Sequence, residues 1–245
     1  MMSIAIITMF IAMAQANDGF NVPLGAENAT TIRSETTNTT LYPPYEVEAI
    51  AGNLTELDIT GVSVTKSWQG FFGNVSGTII LEDSSGARFY DWSAAEPQGQ
   101  VYASVNDSIS WTTVECAPIN DNGYRTSWYN FYGMNESDYD NINMTYNATD
   151  HPEIYVGFET INGCRTTYTF QNSERQFENF PALLLTSDSQ STLIFTAIIE
   201  DKTINVRDSL VGYDGGLYDF QLLVAERGKW GDTDSTTYYF WIELS

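Results

Sequence analysis

The sequence is poor in the groups that do chemistry. It has one histidine, His151, in 245 residues. A zinc centre built on imidazoles needs several, so a His-cluster metal site is excluded. No G-x-S-x-G elbow surrounds any serine, which leaves His151 without a recognisable nucleophile to serve. Neither a Walker loop nor a dinucleotide fingerprint is present. His151 stands beside Pro152 and is expected at an exposed loop end. A carboxylate pair for glycoside hydrolysis depends on spatial separation, so a secreted hydrolase is kept only as the weakest reading. The expectation is a protein that is not an enzyme.

Positive charge is also scarce. Lysine occurs only at Lys66, Lys202 and Lys229, and the formal net charge is −22. Such a field repels nucleic acid and anionic membranes, so neither is expected as a partner. Solubility accounts for the acidity more simply than calcium does, because no run has the spacing of a calcium loop. No cofactor is expected beyond N-linked glycans. Only two cysteines occur, Cys116 and Cys164. In an exported chain an even count favours one disulfide, closing a loop worth about 4 kcal/mol in the chain-entropy model.

Strand and turn formers fill the rest. Aromatics make up 14% of the chain and apolar residues 42%, too rich for a disordered polymer despite the charge. Val, Ile, Thr and the aromatics suit a pleated, half-buried surface. An all-β fold is expected, a β-sandwich of Ig-like or jelly-roll-like kind over residues 46–245. Strand patterns fall at Leu54–Ile59, Val62–Thr65, Asn74–Leu81, Ala87–Trp92, Gln100–Val105, Ile109–Val114, Glu153–Thr160 and Arg165–Phe170. They continue at Leu183–Leu185, Thr192–Glu200, Ile204–Arg207, Leu217–Val224 and Thr236–Leu244. Asp83-Ser84-Ser85-Gly86 is a hairpin turn signal. A short helical turn is expected within 171–182. Residues 117–151 break the rhythm and read as a long loop excursion, a feature usually functional or decorated.

Residues 1–16, MMSIAIITMFIAMAQA, are apolar and uncharged and end on the small-residue pattern Ala14-Gln15-Ala16. The stretch is short for a bilayer span. No Lys or Arg precedes Arg33, whereas export signals open on positive charge. Two readings stand. One is a cleaved secretory signal, with membrane contact only during export. The other is a retained helix buried in an assembly, with Ile4, Ile6, Ile7, Met9, Phe10 and Ile11 as contact residues. Residues 17–45 form an extended arm, Thr-rich and bounded by Pro43-Pro44. Such an arm can stay solvated or add as a strand to a neighbour's sheet edge.

Asn-x-Ser/Thr sequons occur at Asn28, Asn38, Asn53, Asn74, Asn106, Asn135, Asn143 and Asn147. About half that number would arise by chance in a Thr-rich chain, so several are expected to carry glycan. Of the aromatics, the block Trp68-Gln69-Gly70-Phe71-Phe72-Gly73 is expected in the core. Tyr124, Tyr129, Tyr132, Tyr139 and Tyr146 in the excursion are expected to be exposed contacts for glycans or a neighbouring subunit.

The stretch TTNTTLYPPYEVEAIAGNLTELDITG, the block WQGFFGNVSGTIIL, the motifs FYDW and EPQGQVYAS, and the terminal TTYYFWIELS carry a resemblance. Together they resemble an uncharacterised family of archaeal secreted surface or filament-forming β-sandwich glycoproteins, over most of residues 36–245. The resemblance implies a structural, self-assembling surface protein and brings no catalytic residues. The expected function is a subunit of an extracellular archaeal filament (pilus-like) or surface layer, with further copies of itself as partners. The alternative is a surface adhesin or carbohydrate-binding module.

Overall fold

The computed structural model describes residues 23–36, 44, 46–93, 98–175, 179–187, 192–200, 210–228 and 235–244. The apolar segment 1–16, with all six proposed assembly residues, lies outside them, as do Asn38 and the strand expected at Ile204–Arg207.

Among the described residues every strand pairing is antiparallel. In chain order the strands are β1 (Leu24–Gly25), β2 (Trp68–Gly73), β3 (Thr78–Glu82), β4 (Arg88–Ser93), β5 (Gly99–Ser104), β6 (Glu115–Cys116), β7 (Ile154–Val156), β8 (Glu159–Ile161) and β9 (Thr166–Tyr168). There follow β10 (Phe170–Gln171), β11 (Glu174–Arg175), β12 (Pro181–Ser187), β13 (Thr192–Ile198), β14 (Leu210–Val211), β15 (Leu217–Tyr218), β16 (Phe220–Ala225) and β17 (Tyr239–Leu244). The fold is all-β, as the strand patterns predict.

A central sheet runs β1-β17-β5-β13-β12-β6, with β9 sharing the outer edge of β12. Its middle strands are buried on both faces. Successive side chains of a strand point to opposite faces. Ala182 and Leu184 therefore join one apolar cluster with Phe195 and Ala103. Leu183 and Leu185 join the other with Ile194 and Tyr102. This is why PALLLTS and TLIFTAI read as unbroken apolar runs rather than alternations.

The first cluster is roofed by the β2–β16 pair and by two helices, α1 (Asn122–Tyr132) and α2 (Ile142–Thr145). The second is roofed by the β7–β8 hairpin and the 3-10 turn Trp111–Thr113. The strand expected at Ile109–Val114 is thus a turn that drives Trp111 against Tyr102 and Trp241. Where a helical turn is expected within 171–182, residues 171–175 instead complete the tight β10–β11 hairpin, with Asn172 and Ser173 at positive φ, and 181–182 open β12; residues 176–178 lie outside the described residues.

The excursion 117–151 is a structured part of the core, not a loop. Asp121 caps α1 by accepting from the Gly123 N–H. Gly133 ends it at φ 66, a left-handed position that glycine takes without strain. Trp128, Tyr129 and Tyr132 share one helix face and are buried.

After β1 the next strand among the described residues begins only at Trp68. Residues 53–66 contain no strand, so the alternation at Leu54–Ile59 and Val62–Thr65 is not matched by pairing. Leu54 is fully exposed, and Ile59 is 87% exposed. Alternation fits a strand only if an edge is there to receive it.

Candidate functional site

Cys116 and Cys164 form the disulfide. Cys116 lies in β6 and Cys164 just before β9, two segments aligned end to end along the same edge of β12. His151 is not an exposed loop residue. It is half-buried and accepts a hydrogen bond on Nε2 from the Cys164 N–H at 2.9 Å. Its Nδ1 lies 2.7 Å from the Pro152 carbonyl, which makes Nδ1 the protonated nitrogen. Burial lowers its pKa. Among the described residues no group of three or more His, Cys, Asp or Glu side chains is placed to hold a metal ion.

Two carboxylates are buried among the described residues, Glu200 and Glu243. Glu243 on β17 accepts from the Tyr102 hydroxyl at 2.8 Å and from the Gly157 N–H at 3.3 Å. Burial raises its pKa, and these two hydrogen bonds oppose the shift. It pins the β7–β8 turn to the central sheet. β5 begins so close by that a Cβ on Gly99, at φ 132, would overlap the Glu243 carbonyl.

The excursion tyrosines divide. Tyr129, Tyr132 and Tyr146 are buried in the first cluster, correcting their expected role as surface contacts. Tyr146 donates to the Leu223 carbonyl at 2.7 Å. Tyr124 packs at the edge of the cluster, and Tyr139 alone is exposed, at 93%. Of the block expected in the core, Trp68 and Phe71 are partly buried against the first cluster, Trp68 over Phe195 and Tyr146 with its indole N–H on the Asp140 carbonyl, while Gln69 and Gly70 are exposed and Phe72 packs outside the cluster.

Asn28, Asn53, Asn74, Asn135 and Asn147 are exposed. Asn106 and Asn143 are partly buried, and the Asn143 N–H faces the Tyr129 hydroxyl. The accessible sequons are spread over the arm, the stretch before β2, the β2–β3 link and the excursion.

The arm carries a feature that residue-level reading of the sequence does not flag. Leu24 and Gly25 pair with Ile242 and Trp241 at the outer edge of β17, and the Ala26 N–H donates to the Phe240 carbonyl. Further along, Arg33 donates to Asp214 and to the Tyr218 hydroxyl, and its guanidinium lies 5.1 Å from the centre of the Phe72 ring. Phe72 is itself packed edge-on by Tyr213 and Tyr218. Asp214 is held below the usual carboxylate range by the Gly216 N–H and by Arg33. The sequence signal was available: Arg33 is the sole cation before Lys66.

The seat covers little. Leu24 is 71% exposed and Ile32 is 93% exposed. Val47, Ile50, Leu54, Leu57, Ile59 and Val62 are exposed as well. The β3–β4 hairpin pairs with no other strand among the described residues and exposes Phe89, Tyr90 and Trp92.

No protein family, curated protein or solved structure matches the chain. No helix among the described residues is long and apolar enough to cross a membrane.

Proposed function

We propose that the chain is a structural subunit of an extracellular archaeal filament or surface layer, N-glycosylated and assembling with further copies through its N-terminal region. The observation that supports this most is the set of exposed apolar side chains between Leu24 and Val62, where Leu24 and Gly25 are the only strand residues among those described. Apolar area on this scale is costly in water and marks an interaction surface. The disulfide fits an oxidising compartment, and the exposed sequons fit glycan attachment. In this reading the body is a sandwich, Ig-like or jelly-roll-like, built on the central sheet. The full chain should polymerise, and a variant lacking residues 1–45 should stay monomeric, as read by light scattering and negative-stain microscopy. Polymers from the truncated variant would sink assembly through the N-terminus.

A second reading, an adhesin or carbohydrate-binding module, is favoured by the β3–β4 hairpin alone. Tyr90 and Trp92 lie on one face with ring centres 4.9 Å apart, and both are exposed. It requires glycan-array binding that is lost in Trp92→Ala.

A further inference from the structure

We propose that residues 23–36 of one copy seat on the body of the next, at the β17 edge and the pocket of Phe72, Tyr213, Asp214 and Tyr218. This rests on the assembly reading and names its contact. Every copy carries both halves of the pair, the arm and its seat. The seat is small: a two-residue ladder, one further backbone bond and one cation. Exchange between copies keeps each of these contacts, as in domain swapping.

Exchange also adds something that the intramolecular arrangement lacks. The link from 46 to 63 holds the exposed Val47, Ile50, Leu54, Leu57, Ile59 and Val62. Drawn between two bodies, it can lie against the neighbour and lose that exposure. Its reach is ample, since residues 37–66 can extend on the order of 100 Å. Charge selects the arm. Bodies of an acidic chain repel each other, and Arg33 is the only cation that this end of the chain brings to an Asp. A head-to-tail contact of this kind need not close, and then it builds an open polymer.

Charge reversal separates exchange from self-seating. In Arg33→Asp the arm is acidic and the seat is native. In Asp214→Arg the arm is native and the seat is basic. Each variant repels its own arm and its own kind, yet the two complement each other across molecules. Equimolar mixing should give mixed oligomers about tenfold or more tighter than either variant alone, by light scattering after gel filtration. Asp214 also accepts from the Gly216 N–H, so thermal melting of each variant checks that the fold is kept. A mixture that associates supports exchange whatever the native chain does. If the mixture stays at monomer mass while the native chain polymerises, exchange is overturned and the filament reading stands. If neither grows, both fall. Polymerisation of each variant alone at the native level also overturns the proposal.

Discussion

His151 accepts a hydrogen bond from the backbone N–H of Cys164, so the chain's only histidine holds one end of its only disulfide. The bond needs a neutral Nε2. Protonation would set two N–H groups against each other. Burial lowers the folded-state pKa below the unfolded value of about 6.5. The unfolded chain therefore binds the proton first, and the stabilising effect, complete above that pH, is lost as pH falls. The stability advantage of the native protein over His151→Ala should be full at pH 7.5 and shrink below about pH 6.5 in chemical denaturation. An advantage that stayed constant with pH would refute the tautomer assigned here.

Glu243 has the opposite sign. Its folded pKa is raised, so the ionised carboxylate opposes folding at neutral pH, and stability from this group grows as pH falls through that raised value. Glu243→Gln keeps an acceptor for the Gly157 N–H. Tyr102 can turn its proton to Gln100, whose Oε1 lies 3.1 Å away. The variant should melt a few degrees higher at pH 7, with the difference vanishing in acid. A lower melting point at neutral pH would show that the Tyr102 and Gly157 bonds outweigh desolvation.

Asn141 is the polar centre of the excursion. It is 2% exposed, accepts from the Met144 N–H and the Tyr129 hydroxyl, and donates to the Asp138 and Glu136 carbonyls. Asn141→Ala removes the α2 cap and strands several buried partners, so it should cost about 2–4 kcal/mol. Urea unfolding measures this directly. A loss within about 0.5 kcal/mol, the range of an ordinary surface substitution, would show that the network adds nothing.

Sequon exposure predicts where glycan is found. Asn53 and Asn147 stand clear of the body, while Asn143 is partly buried in α2 beside Tyr129. Glycopeptide mass spectrometry on protein from its native source should find the first two occupied more fully than Asn143. Equal occupancy at all three would break the link between folded exposure and modification.

The middle strands of the central sheet, β12 and β13, were legible because they are long and apolar, and the Asp83–Gly86 turn because Asp83 makes a local cradle, accepting from the Ser85 and Ala87 N–H groups. The excursion misled for a chemical reason. Its share of the core rests largely on Trp128, Tyr129, Tyr132 and Tyr146, with only a few aliphatics such as Ile119 and Ile142, so it reads as polar. Helix signals were nonetheless present: Asp121 as a cap, aromatics at 128, 129 and 132, and Gly133 as a stop. Leu54–Ile59 shows the converse. Local alternation describes a strand that is competent to pair and cannot report whether a partner edge exists. Arg33 escaped notice because its partners lie more than 180 residues away, beyond any local pattern.

The Cys116–Cys164 bridge encloses the excursion that fills the core and carries Asn135, Asn143 and Asn147. A protease that cut at the exposed Tyr139 would therefore release nothing. Both fragments would stay joined through sulfur and through the strands that flank them, and the nick would show only on a reducing gel. A single cut in this segment therefore leaves the chain covalently continuous from end to end.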